Sequence, residues 1–349
     1  MKNYKKTYRP DSYWETTKEM VSVVQETGND EPVRNCLFCY KPLTEFGADF
    51  HKACNKRFFG QLYTPTLDYK FNDLEQLAQK VVQSHMAVTG VQPKLSLSIH
   101  YKKDKNPVKK LTIVGLYGDY ILKPPTKHYA ELPEVEDLTM HLADVCGIAA
   151  VPHSLVKLTD GTCCYITKRV DRTRQGKLHM EDMCQLTERL TEDKYKGSHE
   201  QVAKTVLKYS SNPAFDVTNF WEQVLLSYFT GNADMHLKNF SLLANEQGAY
   251  SLSPAYDLVN TALVNPGDTE ELALTLNGKK SNLKYTDFVQ AFDTLKMPVK
   301  VLDAMLHNFY YCHKEMAGKV HSSFLSEDMK HGYLSVMAKR FELVPEHVK

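Results

Sequence analysis

Asp234 and Asn239 stand five residues apart in the stretch T-G-N-A-D-M-H-L-K-N, residues 230–239. A carboxylate there can accept the proton of an alcohol, and an amide oxygen five residues on can hold Mg²⁺; phosphoryl transfer divides its labour in this way. Asp257, in P-A-Y-D, offers a second oxygen ligand. Oxygen ligands alone suit Mg²⁺, which usually takes one or two protein groups and leaves the rest of its shell to water and phosphate.

The flanking residues show how those groups are positioned. A helix is expected over 216–230, with Phe220, Val224, Leu225 and Tyr228 on one face and Gly231 as its stop. Residues 240–244 and 249–253 read as two strands around the turn 245–248. Paired strands lie about 4.8 Å apart. Asn239 at one mouth of the hairpin and Asp257 past the other are therefore expected to share one cation.

A second constellation is metal chemistry of another kind. Cys36 and Cys39, then His51 and Cys54, form two close pairs with the ligand types and spacing of a tetrahedral structural zinc site. Four protein ligands leave no open position for catalysis. Cys146, Cys163, Cys164, Cys184 and Cys312 have no such spacing and read as buried small hydrophobes.

The stretch before residue 170 carries the cationic groups. A helix over 71–85 runs into A-V-T-G-V-Q-P-K, where Thr89, Gly90, Gln92 and Lys94 precede a strand over 95–99. Such a turn can present backbone N–H groups and a lysine to phosphates. A hairpin with a charged tip at 102–110 leads to the strand 120–123, which ends in Lys123 before Pro124-Pro125. In a helix over 134–146, Glu136 is placed to pair with Lys123. Residues 154–158 and 162–167 flank Asp160-Gly161, the dipeptide of a type I′ hairpin. Lys168, Arg169 and Val170 begin the crossover to a helical second half. Helices are expected there over 181–190, 198–209, 287–295, 299–312 and 327–341, and a strand over 272–276.

With 349 residues, one large domain or two lobes are expected. Apolar content of 42% and charged content of 24% are those of a globular chain, and a net charge of +1 gives no reason to expect nucleic acid or a membrane surface as a direct partner. No apolar run approaches the length of a membrane span, no signal-peptide stretch opens the chain, and the cysteines are too few for a secreted scaffold. A cytoplasmic location is the expectation. Ser12 and Glu15 form a capping-box pattern before an apolar stripe, which predicts an N-terminal helix. The expected parts are a helical extension over 1–30, a zinc module over 31–62, a β-rich lobe over 63–170 and a helical lobe over 171–349.

Over about 84–345 the chain resembles the HipA family of serine/threonine kinase toxins. The motifs are T-G-V-Q-P-K, Y-I-L-K-P, E-D-L-T-M-H-L-A, T-K-R-V-D-R, G-N-A-D-M-H-L-K-N-F-S and S-P-A-Y-D-L. The resemblance implies an α+β, two-lobed protein-kinase-like fold, shared with phosphatidylinositol kinases. It also implies Asp234 as the base, His236 near the phosphates, Asn239 and Asp257 on Mg²⁺, Lys123 on ATP, and the main chain of Lys168, Arg169 and Val170 against adenine. Family members phosphorylate aminoacyl-tRNA synthetases, inhibit translation and are restrained by a HipB-like DNA-binding antitoxin. Two departures stand out. Ala87 occupies the place of the family's autophosphorylated loop serine, with Ser84 and Thr89 as nearby hydroxyls, and the short Cys/His segment stands where full-length members have a long β-rich part. The rival readings are a catalytically silent zinc-bearing module and a lipid or small-molecule kinase.

Overall fold

Alternating apolar residues in 95–123 and 153–168 make strands that bury one face, and the chain folds them into one antiparallel sheet. A computed structural model describes residues 34–84, 92–101, 109–114, 117–173 and 175–349. The expected N-terminal helix, together with Ala87, Thr89 and Gly90, lies outside them. The strands are β1 (Leu95–Tyr101), β2 (Lys109–Ile113), β3 (Tyr120–Lys123), β4 (His153–Lys157) and β5 (Cys163–Lys168), in the order β2-β1-β3-β5-β4. Register is fixed by which face is apolar. Leu95 opposes Leu122, and Leu122 opposes Ile166, so all three point into one core.

The Cys/His segment shares that core. After the bridge Asn35↔Pro42, the helix α1 (Lys52–Phe59) delivers Phe58 and Phe59 into the same cluster as Leu97, Leu122 and Ile166, with Cys36 and Leu37 beside them. The helix α2 (Phe71–Ser84) follows; its first backbone N–H donates to Asp160 in the β4–β5 loop, at 2.8 Å. That loop is not the expected type I′ turn. Of the two central residues only Gly161 has positive φ (84°), because Asp160 is held by accepting from Phe71 and Thr162.

The helix α3 (Leu132–Val145) connects the sheet to the second half. Its residues are buried on almost every side, and Thr139 Oγ1 meets the Tyr333 hydroxyl at 2.8 Å. A parallel bridge between Ala150 and Ala255 joins the halves a second time, through Val151 N–H to Ala255 O at 2.9 Å.

The second half is mostly helical: α4 (Met183–Leu186), α5 (His199–Tyr209), α6 (Pro213–Phe229), α7 (Thr261–Val264), α8 (Tyr285–Thr294), α9 (Val299–His321) and α10 (Glu327–Phe341). Ser198 and Gln201 form the expected capping box of α5. The central α6 is buried over most of its length, from Val217 to Phe229 on several faces, and is enclosed by its neighbours. Burial of Phe220, Trp221 and Phe229 contributes roughly 1.5–3 kcal/mol per side chain.

Two expected elements differ. The helix foreseen over 181–190 is split: after the two-stranded sheet of β6 (Arg172–Thr173) and β7 (Gly176–Lys177), β8 (Met180–Asp182) joins β9 (Ser241–Ala244) and β10 (Tyr250–Leu252) in a three-stranded sheet before the short α4 begins. Strand pairing of Met180 with Leu243 and Asp182 with Ser241 overrides local helical preference, and Asp182 then caps α4. The strand foreseen over 272–276 contributes only isolated bridges, Ser198↔Thr275 and Leu276↔Lys279, around a turn with Asn277 and Gly278 both at positive φ. Among the described residues no strand lies alongside it to continue a ladder.

Candidate active site

The loop after α6 folds on itself through short-range contacts and is docked on the lobe by the Ala233 amide on Thr261 Oγ1 and the Leu237 amide on the Lys194 carbonyl. Gly231 stops the helix at φ 70°; a Cβ there would lie 2.6 Å from Val336 Cγ1 and 2.8 Å from Asn260 Oδ1, so only glycine fits. Asn232 Oδ1 accepts from the Asp234 amide at 3.1 Å, and the Asp234 carbonyl accepts from the His236 amide at 2.8 Å and from Asn239 Nδ2 at 3.0 Å. The loop is thereby folded around the Asp234 carbonyl, leaving its carboxylate to face a cavity of about 1090 Å³. His236 and Asn239 line the same cavity and are buried. Burial pushes the His236 imidazole below its ordinary pKa against the pull of Asp234, and its Nδ1 has no partner among the described residues.

Across the cavity lie the charges of the sheet half. Lys123, 3% exposed at the end of β3, places Nζ 2.5 Å from Glu136 Oε1 and in contact with Asp257 Oδ1. Lys94 Nζ takes the other Asp257 oxygen at 2.9 Å. Burial alone would depress the Lys123 pKa, but Asp257 and Glu136 hold it well above its usual value. Burial would likewise raise Asp257, and the two ammonium groups hold it far below. Burial pushes Glu136 up to about 7 despite Lys123. Asp257 sits in the left-handed region at φ 59°, a conformation that surrounding contacts must sustain.

Gln92, Lys168, Arg169 and Val170 also line the cavity. Gln92 donates to the Pro124 carbonyl at 3.3 Å. Lys168, Arg169 and Val170 form one wall, where the Lys168 amide donates to Pro152 O and the Arg169 amide to Asp119 O, both at 2.8 Å. Those two amides are therefore engaged within the protein, and a base seated on this wall must rely on other main-chain groups.

Tyr195 was not visible to sequence reasoning. Its hydroxyl donates to Asp234 Oδ1 at 2.6 Å, and its ring meets His236 edge-on at 5.1 Å. The two residues are 39 apart, and no spacing rule links them. Lys238 was missed likewise; its Nζ pairs with Asp182 at 2.6 Å on the cavity wall.

At the far side of the sheet, Cys36, Cys39, His51 and Cys54 place one ligand atom each within 4.8 Å of the others. His51 Nδ1 lies 3.5 Å from Cys39 Sγ and 3.7 Å from Cys54 Sγ, while its Nε2 meets the Pro42 carbonyl at 2.9 Å. The Pro42 carbonyl accepts a hydrogen bond from Nε2–H, which turns a bare Nδ1 toward the thiols, the orientation a metal requires. Burial raises the Cys36 thiol, but the amides of His51, Phe38 and Cys39 outweigh it and hold the pKa below its ordinary value. The donor set fits a tetrahedral cation.

A five-stranded antiparallel lobe bearing a buried Lys–Glu pair, facing a helical lobe with an Asp/Asn loop, defines the two-lobed protein-kinase-like fold. A family model described as the HipA-like C-terminal domain matches residues 86–316. That is more than half of the chain, which therefore belongs to the HipA-like C-terminal domain family. "Putative kinase Y4dM" of Sinorhizobium fredii is 35% identical over 190 residues, 50% of this chain and 45% of its own length. A "Putative kinase" of Haemophilus influenzae is 30% identical over 194 residues, 52% of this chain and 54% of its own. The chain spans about half the length of these curated relatives.

Among solved structures, the HipA chain in a Shewanella oneidensis complex of HipA, HipB and operator DNA superposes with a TM-score of 0.63 at 21% identity, over 80% of this chain and 72% of that one. The Helicobacter pylori proinflammatory kinase CtkA gives 0.51 at 17% identity, over 71% and 93%. At these identities the likeness is one of fold.

Proposed function

We propose that the chain is an ATP- and Mg²⁺-dependent serine/threonine protein kinase, the toxin of a HipA-type toxin–antitoxin system. The observation that supports this best is the convergence on one cavity of Lys123, Glu136 and Asp257 from one side and Asp234 and Asn239 from the other. Bound MgATP supplies the γ-phosphoryl group and neutralises its charge. Asn239 and Asp257 are the residues that would hold Mg²⁺. Lys123, Lys94, Gln92 and His236, with Thr89 and Gly90 from the sequence before β1, are the groups for the phosphates, and the Lys168–Val170 wall is the place for adenine. Asp234 then accepts the proton of the acceptor hydroxyl. The Tyr195 hydroxyl, an O–H already donating to Asp234, stands in for that acceptor alcohol.

An aminoacyl-tRNA synthetase as target rests on the family resemblance. A HipB-like antitoxin as partner is supported by the composition of the Shewanella assembly. Cys36, Cys39, His51 and Cys54 hold a structural Zn²⁺ in this reading. Among the described residues no helix is long and apolar enough to cross a membrane, which accords with the proposed cytoplasmic protein acceptor.

The deciding experiment incubates purified protein with Mg²⁺ and γ-labelled ATP, alone and with cell extract, and maps labelled residues by mass spectrometry. Label on Ser or Thr of a tRNA synthetase, absent with Asp234→Asn, is the expected result. Label on lipid or small alcohols alone would replace the acceptor class, and ATP binding without any transfer would leave a silent scaffold.

A further inference from the structure

Asp137 and His141 are four apart on α3, which puts both side chains on one helical face. His153 reaches the same point from the first residue of β4. The three groups bring one ligand atom each within 4.8 Å of one another: His141 Nε2 is 3.6 Å from Asp137 Oδ2, and His153 Nε2 is 3.9 Å from Asp137 Oδ1. None of the three residues is more than 8% exposed. These separations are too long for hydrogen bonds, and Asp137 Oδ1, His141 Nε2 and His153 Nε2 have no hydrogen-bond partner among the described residues. Three orphaned polar atoms at one buried point are costly unless something joins them.

We infer that Asp137, His141 and His153 form a second metal site, which takes a divalent first-row cation of the Zn²⁺ type. Ligands about 2.0–2.2 Å from a tetrahedral ion stand roughly 3.3–3.6 Å apart, close to the spacing seen here and to the 3.5 and 3.7 Å of the Cys/His cluster. The outer contacts are those of metal ligands. His153 Nδ1 meets the Val151 carbonyl at 3.0 Å, which places the proton on Nδ1 and leaves the Nε2 lone pair aimed inward. The Tyr40 hydroxyl donates to Asp137 Oδ2 at 2.7 Å and orients the carboxylate.

The site links two others. Tyr40 follows Cys39 and is turned into the left-handed region, φ 65°, by the Cys36–Cys39 knuckle. Asp137 follows Glu136, the partner of Lys123. A cation here anchors α3 between the knuckle and the nucleotide side of the cavity.

The test is metal content and cobalt spectroscopy of the full chain, purified without chelator. Two ions per chain are expected. His153→Gln and His141→Gln should each lower the count to one while the Co²⁺-substituted protein keeps the thiolate-to-cobalt charge-transfer band of the Cys/His site, which also proves the variant folded there. A single ion per chain in the unmutated protein, carrying that thiolate band, overturns the proposal. So do unchanged counts in both histidine variants. Ions without any thiolate band would remove the Cys/His zinc reading and leave this site to be judged by the histidine variants alone.

Discussion

The two walls of the cavity are assembled in different ways. On the helical side, Asn232, Asp234, His236 and Asn239 hold one another by contacts that never reach beyond eight residues. On the opposite wall, Lys94, Lys123, Glu136 and Asp257 come from four separate stretches of the chain and are held by ion pairs, buried at Lys123 and partly exposed at Lys94. The first wall has a local frame at the end of α6, which the Ala233 amide on Thr261 Oγ1 and the Leu237 amide on the Lys194 carbonyl then dock on the lobe. The second exists only when the sheet, α3 and the helical lobe have closed, because each charge is tolerated in the interior through its neighbours. Polar groups meant to meet a ligand can be positioned by either route, and the second, through its buried charges, couples the site more strongly to global stability.

Substitutions on the two walls should therefore separate activity from stability. Asp234→Asn is expected to lower phosphate transfer by roughly 10²- to 10⁴-fold, with ATP affinity and the denaturation midpoint nearly unchanged. Comparing initial rates with an ATP titration checks this, and a collapse of both would end the idea of a locally held loop. Lys123→Ala leaves Glu136 as a buried carboxylate without its cation, and should cost about 3–5 kcal/mol in urea unfolding. Adding Glu136→Leu to it should recover part of that loss; if the single variant is as stable as the parent, the ion pair is not structural.

The helical lobe has its own pH dependence. His199 is fully buried among Phe220, Trp221 and Phe240, and burial lowers its pKa to about 3. The unfolded chain, with an ordinary value of about 6.5, takes up the proton first as pH falls. Stability contributed by the neutral ring is complete above that value and lost as pH drops toward 3, by up to roughly 4 kcal/mol. His199→Leu should flatten the stability profile over this window, measured against the parent. A smaller effect, about 1–3 kcal/mol, is expected for Gly231→Ala, which forces a Cβ against Val336 and Asn260 at positive φ. Tyr195→Phe should do least: loss of one hydrogen bond, about 0.5–1.5 kcal/mol, seen as a fall in KM for the acceptor of less than about tenfold. An unchanged KM would mean that the phenol does not occupy the acceptor's place.

The same division governs what could be read in advance. The α6 helix, its glycine stop, the Asp234–Asn239 spacing, the β9–β10 hairpin and the two Cys/His pairs are short-range patterns, and each falls in the structure near where the residues placed it. The stretch 181–190 was misread because Met180–Asp182 is strand only by virtue of β9, more than fifty residues away. Residues 272–276 have strand-like side chains but no neighbour to complete a sheet. Tyr195 on Asp234, Lys94 on Asp257 and His153 beside Asp137 carried no signal at all, since nothing in a linear spacing relates them.

Sequence alone determined the reactive groups and their local frames: a carboxylate and an amide on one tight loop, a lysine at a strand end, and paired thiols around a knuckle. These follow from periodicity, capping and turn chemistry, which act over a few residues. Tertiary structure decided which of them meet. It put Lys123 between Glu136 and Asp257, brought Tyr195 onto Asp234 and closed Asp137, His141 and His153 around one buried point. Those meetings depend on how the sheet, α3 and the helical lobe pack together, and packing sums contacts over the whole chain.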